Sequence, residues 1–195
     1  MTSDSRASMV RSAASLIRSR GLSATSFSDV LADSGAPRGS IYHHFPQGKE
    51  QLAGDAIRWT SERVIGHQRA CRATTAAGVL RCFIDMWRQV VLASNGASGC
   101  VVAGIAIDTV AGERGLIDVV HATFGSWVAL LTEQLEAVGV PTRRASRIAV
   151  ATLAGMEGAL ILCRAEGNTG PLETVAAELM RLLPPELGAP TAKPR

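Results

Sequence analysis

TSFSDVLADSGAPRGSIYHHFPQGKEQL, residues Thr25 to Leu52, sets two short helix signals around one turn. Ser26 with Asp29 three residues on has the spacing of a capping box, which satisfies backbone groups that the start of a helix leaves unpaired. Val30, Leu31 and Phe27 supply the buried face, and Gly35 ends this helix after barely two turns. Ala36-Pro37 then launches a second helix through Ile41 and Phe45, with proline at the first helical position, where its missing N–H is not needed. Pro46 forbids its continuation. Upstream, Met9, Val10, Ala13, Leu16 and Ile17 recur at helical spacing until Gly21. One longer helix followed by two very short ones across a glycine turn is the arrangement of a helix-turn-helix unit, whose last helix enters a major groove.

The surface left on that last helix has unusual chemistry for a solvated face. With Ile41 and Phe45 marking the buried direction, about 100° per residue turns Gly39 and His43 to the opposite side. Ser40 and Tyr42 flank them and Arg38 sits at the leading edge. A guanidinium fork, a hydroxyl, a phenol and an imidazole suit phosphates and base edges. Glycine in a short helix costs up to about 1 kcal/mol relative to alanine, which close approach of another surface explains. His44 lies beside the buried direction and reads as structural. Lys49 opens the fourth helix, where a cation opposes the helix dipole; either Glu50 compensates, or a phosphate held by the ammonium and the free N–H groups of the turn does.

TSFSDVLADSGAPRGSIYHHF followed by PQGKEQL closely resembles the DNA-binding domain of the TetR (tetracycline repressor) family of bacterial regulators. The likeness spans residues 9 to 57, and GAPRGSIYHHFPQGKEQL is most similar to the LmrA/YxaF-type branch, which includes regulators of drug-efflux genes. The resemblance implies that Thr25, Ser26 and Ser28 stand at the phosphate-facing start of the second helix. It implies Arg38, Gly39, Ser40, Tyr42 and His43 on the recognition helix and Lys49 as a phosphate contact. Two positions depart from the family pattern. Pro37 replaces the common Ser or Thr, removing a hydroxyl and an N–H, and Gln47-Gly48 adds a residue before Lys49, which shifts the lysine along the backbone. The resemblance also implies a homodimer paired through its last two helices, presenting two recognition helices about 34 Å apart to a pseudo-palindromic operator in double-stranded DNA. A small-molecule effector and repression are the family's usual habit.

Beyond residue 48 apolar residues recur at helical spacing almost everywhere, and no long alternating run appears. The reading is an all-α fold of about nine helices. Residues 1–48 form the helix-turn-helix DNA-binding domain, 49–185 a larger helical ligand-binding and dimerisation domain, and 186–195, rich in Pro, Gly and Ala, a disordered tail. Helices are expected from Gly48-Lys49 to about Gly66 or beyond, Thr75 to Ala93, Cys100 to Val110, Leu116 to Val138, Arg143 to Glu166 with Thr142 as N-cap, and Pro171 to Leu183. Glycines 112 and 115 bracket a turn. Periodicity turns Phe83, Trp87, Phe124, Trp127, Met156 and Leu160 inward, with His121, Asp108 and Glu157 as polar contacts. They read either as the wall of an effector pocket for an apolar or aromatic molecule or as ordinary packed core. Small residues such as Gly155 and Ala159 suit close helix approach in a dimer.

Composition narrows the function classes. With 195 residues, 47% hydrophobic and 19% charged, the chain is too apolar for disorder and too short for a large multidomain enzyme. A net charge of +3 is too mild for coating nucleic acid by charge alone, so anion binding must be local. Of the 20 cationic residues only Lys49 and Lys193 are lysines, so basic contacts are made by guanidinium forks. No stretch reads as a membrane span, and the N-terminus, with Asp4 and Arg6, lacks the apolar run of a signal peptide; a cytoplasmic protein with no membrane partner is expected. Cys71, Cys82, Cys100 and Cys163 lack CxxC spacing, which predicts free, mostly buried thiols without metal. No GxSxG, Walker loop, GxGxxG or HExxH is present, and adjacent His43 and His44 cannot share a metal from one helix face, so no catalytic residue and no cofactor is assigned. A third reading, a ligand carrier with a degenerate head, would keep the dimer and lose DNA binding.

Overall fold

The computed structural model describes residues 2–109 and 114–184. Among these every regular element is an α-helix, nine in all: α1 Thr2–Arg20, α2 Phe27–Ser34, α3 Ser40–His44, α4 Gly48–Ala70, α5 Ala76–Ala93, α6 Val101–Asp108, α7 Arg114–Ala137, α8 Thr142–Glu166 and α9 Gly170–Arg181. The tail expected over 186–195 and the turn at Gly112 lie outside the described residues.

The head is built on α1. Its apolar stripe at Met9, Ala13, Ala14 and Ile17 is buried against α2, α3 and α4. The helix starts several residues before Met9, earlier than its apolar stripe requires. The capping box forms: Ser26 Oγ accepts from the Asp29 N–H at 3.2 Å while Asp29 accepts from the Ser26 N–H at 2.8 Å. Gly35 closes α2 at φ 68°, a left-handed conformation that a Cβ would strain, and its N–H donates to Leu31 O. The recognition helix is shorter than expected. Pro37 does not open it; residues 37–40 form a turn in which the Ser40 N–H donates to Pro37 O at 2.9 Å, and α3 starts only at Ser40. Ile41 and Phe45 are fully buried, as the spacing demands.

The remaining helices form one hydrophobic core with the head, running from Met9 to Leu179. α4 carries this continuity, packing on α1 at one end and on α5, α6 and α7 beyond. α8 lies between α7 and α9, which accounts for its nearly all-round apolar character. Two segments, Gly115–Ala137 and Thr142–Glu166, are by length and hydropathy able to cross a bilayer, contrary to the expectation that no stretch qualifies. Each buries a face in this core instead, with Trp127, Leu131 and Leu135 on α7 and Ile148, Met156 and Leu160 on α8. Thr75 caps α5 through the Gly78 N–H, but Thr142 does not cap α8, whose N-cap is Pro141.

The cysteines need a correction. Cys100 and Cys163 are free and buried, whereas Cys71 and Cys82 are joined in a disulfide with Cα atoms 6.2 Å apart. Cys71 caps the end of α4 and Cys82 lies on α5, so the reversal of the chain between the two helices brings them together. An eleven-residue separation carries no motif, which is why spacing alone assigns both as thiols.

Candidate nucleic-acid interface and helical cavities

The exposed edge of α3 carries the donors that the helix geometry selects. Tyr42 is 69% exposed, and its ring meets Phe27 of α2 edge-on at 5.6 Å, which fixes its direction without covering it. His43 is exposed and packs edge-to-face on half-buried His44 at 5.3 Å. Arg38 and Gly39 are exposed in the turn leading into α3 rather than on the helix, and a Cβ at Gly39 would meet open space. Ser40 is half-buried and its hydroxyl donates to Pro37 O at 2.6 Å. Between α2 and α3 lies a groove of about 560 Å³ whose rim includes Ser28, Arg38 and Tyr42.

The three hydroxyls before and within α2 have separate fates. Thr25 is only 3% exposed, and its hydroxyl donates to Gly21 O at 2.7 Å, so it braces the turn rather than facing outward. Ser26 spends its hydroxyl on Asp29, donating to the carboxylate at 2.6 Å while capping the helix. Ser28 is exposed, and its hydroxyl makes no hydrogen bond among the described residues. These Ser26 hydrogen bonds, with Arg20 paired to Asp29 at 2.9 Å, hold the Asp29 carboxyl down at about 2.

Lys49 is half-buried and donates to Ser23 O at 3.4 Å. The same Ser23 gives its N–H to Asp108 of α6 at 2.9 Å. Asp108, expected as a ligand contact, thus accepts from the turn between α1 and α2. Gly99 completes the seam by donating its N–H to Arg18 O at 2.9 Å. Sequence reading missed this seam, since nothing local marks Asp108 or Gly99 as partners of the head.

A helix-turn-helix head whose outward side chains are donors, braced on an all-helical body, is the architecture seen across a set of known proteins. Residues 10–56 match the family described as bacterial regulatory proteins, tetR family, and residues 76–178 match the LmrA/YxaF-like transcriptional regulator C-terminal domain. The chain belongs to the TetR family. It is 38% identical over 192 residues to an HTH-type transcriptional regulator of Mycobacterium tuberculosis, covering 93% of this chain and 95% of the relative. It is 27% identical over 184 residues to the regulator LmrA of Bacillus subtilis, covering 92% and 97%. The fold matches that of a TetR transcriptional regulator from Legionella pneumophila with TM-score 0.82 at 22% identity, over 91% of this chain and 96% of that one. As a TetR-family member the chain is a DNA-binding transcriptional regulator and not an enzyme.

Within this TetR-family body the aromatic residues form a connected row: Phe83 to Trp87 at 6.2 Å, Trp87 to Trp127 at 6.1 Å and Trp127 to Phe124 at 5.6 Å between centroids. Phe83, Trp127, Met156 and Leu160 are essentially fully buried. The row packs against itself rather than around a void. Trp87 lines one cavity of about 390 Å³ and Leu160 another of about 290 Å³, while Phe83, Phe124, Trp127 and Met156 line none of the described cavities. His121 is exposed on α7, away from both cavities. Glu157 faces the smaller cavity, where its Oε1 is enclosed without a partner; burial pushes its carboxyl up to about 7, against a Cys100 hydrogen bond that pulls it down.

Proposed function

We propose that this TetR-family regulator is a homodimeric, cytoplasmic repressor that leaves a pseudo-palindromic operator when its helical domain, residues 49–185, takes up a small molecule. The observation that carries DNA recognition is the exposed set Arg38, Tyr42 and His43 beside Gly39, which offers fork, phenol and imidazole donors to a groove without a side chain in the way. Ser28, at the rim, and Lys49, through the donors it does not spend on Ser23, add phosphate contacts. The remaining hydroxyls, Thr25, Ser26 and Ser40, hold the backbone of the head in register.

Dimerisation rests on α8. Val150, Ala154, Gly158 and Ile161 recur at helical spacing on one exposed stripe, with Leu162 beside it, and a Cβ at Gly158 would meet nothing within 4 Å among the described residues. Gly155 and Ala159, expected there, are instead used inside the chain: a Cβ at Gly155 would come within 3.1 Å of Val175 on α9, and Ala159 is buried. The reading extends to control of efflux or small-molecule-metabolism genes, which the resemblance to the LmrA/YxaF-type branch supports.

Fluorescence anisotropy with the duplex upstream of the protein's own gene tests this reading against a scrambled duplex over a salt series. Binding that prefers the native duplex by a factor of about 1,000 or more supports it, and equal affinity for both overturns it. Ile161→Glu places a charge in the proposed interface. Sedimentation should then show monomers, with operator affinity falling by about 100-fold as the two heads lose their linkage. A variant that stays dimeric moves the interface elsewhere.

A further inference from the structure

The cavity of about 390 Å³ lies between the end of α1, the middle of α4 and the second half of α5, and its size is in the lower range for small-molecule sites. Its wall is lopsided in charge. Arg18 and Arg63 line it, and among the described residues no carboxylate does. Neither guanidinium is in an ion pair among the described residues. Arg18 Nε and the Trp87 indole N–H are both enclosed without a hydrogen-bond partner among the described residues. Enclosed donors of this kind destabilise the fold unless something accepts from them. Of the neutral polar groups, Thr60 and Ser94 donate to backbone carbonyls and His67 contacts Cys82 O at 3.3 Å, while Gln89 and Ser98 complete the polar part of the wall. Val64, Met86 and Val90 supply apolar wall beside the Trp87 ring.

We infer that this cavity binds a small organic carboxylate with a flat apolar body, its carboxylate held by Arg18, Arg63 and the Trp87 N–H and its body laid against Trp87, Val64 and Met86. Burial draws the Arg18 guanidinium below its ordinary range; Cys100 opposes this in part, and the nearby Arg63 charge adds a smaller downward push. An anion would relieve both downward effects. The acidic groups near Arg18, Glu157 and Asp108, face the separate smaller cavity, which Arg18 also borders with Arg20 and Arg164. Arg18 belongs to the head's first helix and Arg63 to α4, the helix that begins at the Lys49 turn. Clamping both to one carboxylate therefore sets the position of α1 against α4. This consequence for DNA rests on the effector-responsive reading above, whereas the binding itself does not.

Calorimetric titration of the full chain with benzoate, 2-naphthoate and biphenyl-4-carboxylate, each beside its primary carboxamide and beside inorganic phosphate, tests the inference. At least one acid should saturate with one molecule per chain, about tenfold or more tighter than its amide and than phosphate. Arg63→Gln, at an exposed residue stacked over Trp59, should weaken that acid by about tenfold or more, while Glu62→Gln on the neighbouring exposed position leaves it unchanged. Acids that fail to saturate, amides or phosphate that bind equally well, or indifference to Arg63→Gln overturn the site. Operator binding measured with and without the acid separates the two readings. An acid that binds through Arg63 and leaves DNA affinity untouched keeps the site and removes its regulatory role. Operator release by a molecule whose effect ignores Arg63→Gln keeps regulation and removes the site.

Discussion

The head and the helical body both leave polar atoms unspent, but in opposite places. In the head they face water: Arg38, Tyr42 and His43 stand outside on and beside α3. In the body they are enclosed, as with the Trp87 N–H and Glu157 Oε1, and Arg18 Nε is enclosed where the end of α1 meets the body. An exposed donor loses little by waiting, since water satisfies it until a base edge or phosphate displaces that water. An enclosed one destabilises the native state until a ligand or proton arrives. A DNA-reading surface can therefore be permanent and rigid, whereas a sensing interior is tuned by what enters it.

The sharpest way to break this contrast is to ask whether the aromatic row is packing or pocket. Trp127, 1% exposed with its N–H donating to Ser61 Oγ at 3.1 Å, is core by position. Trp127→Ala should cost about 3–5 kcal/mol in urea unfolding. A loss under about 1 kcal/mol would mean that space already exists around it.

Glu157 supplies the pH test. Its folded pKa of about 7 lies above the ordinary 4.5, so the native state keeps a proton that the unfolded chain has released. Its contribution is full below about 4.5 and is lost as pH rises through about 7. Glu157→Gln should match the parent at pH near 4 and exceed it above pH near 7 by up to about 3 kcal/mol, read as the gap between urea midpoints. Parallel stability curves for the two proteins would place the carboxyl in contact with water.

On the head, Tyr42→Ala and Arg38→Ala should each weaken specific operator binding by about 1–3 kcal/mol without moving the melting temperature, measured by anisotropy and thermal unfolding. A melting shift without a binding change would reverse the roles drawn for these residues. The smallest effect belongs to Lys49→Ala, since its ammonium already shares itself with Ser23 O. Its signature is a salt dependence shallower by about one unit in the log–log slope, at nearly unchanged sequence preference.

Local chemistry was the legible part. The Ser26–Asp29 capping box, the Gly35 stop and the buried pair Ile41 and Phe45 involve neighbours within one helical turn, so their spacing carries the whole interaction. The late start of α3 was harder to read, because Pro37 is equally at home in the turn that precedes a helix and in its first position. Periodicity turned the aromatic residues inward correctly, but it has no term for the space between helices and could not separate a packed row from a lined cavity. On α8, Gly155 and Gly158 are the same residue type three positions apart, yet one meets α9 and the other meets nothing among the described residues.

Order along the chain thus decided which segments become helices and which side chains α3 turns outward, since helix caps, stops and 3.6-residue periodicity act between near neighbours. Packing in three dimensions alone decided the Cys71–Cys82 bond, the Ser23–Asp108 seam, the solid aromatic row and the basic cavity beside it. Each of these joins residues from different helices, and the distances between them follow from how the helices cross, which no local pattern encodes.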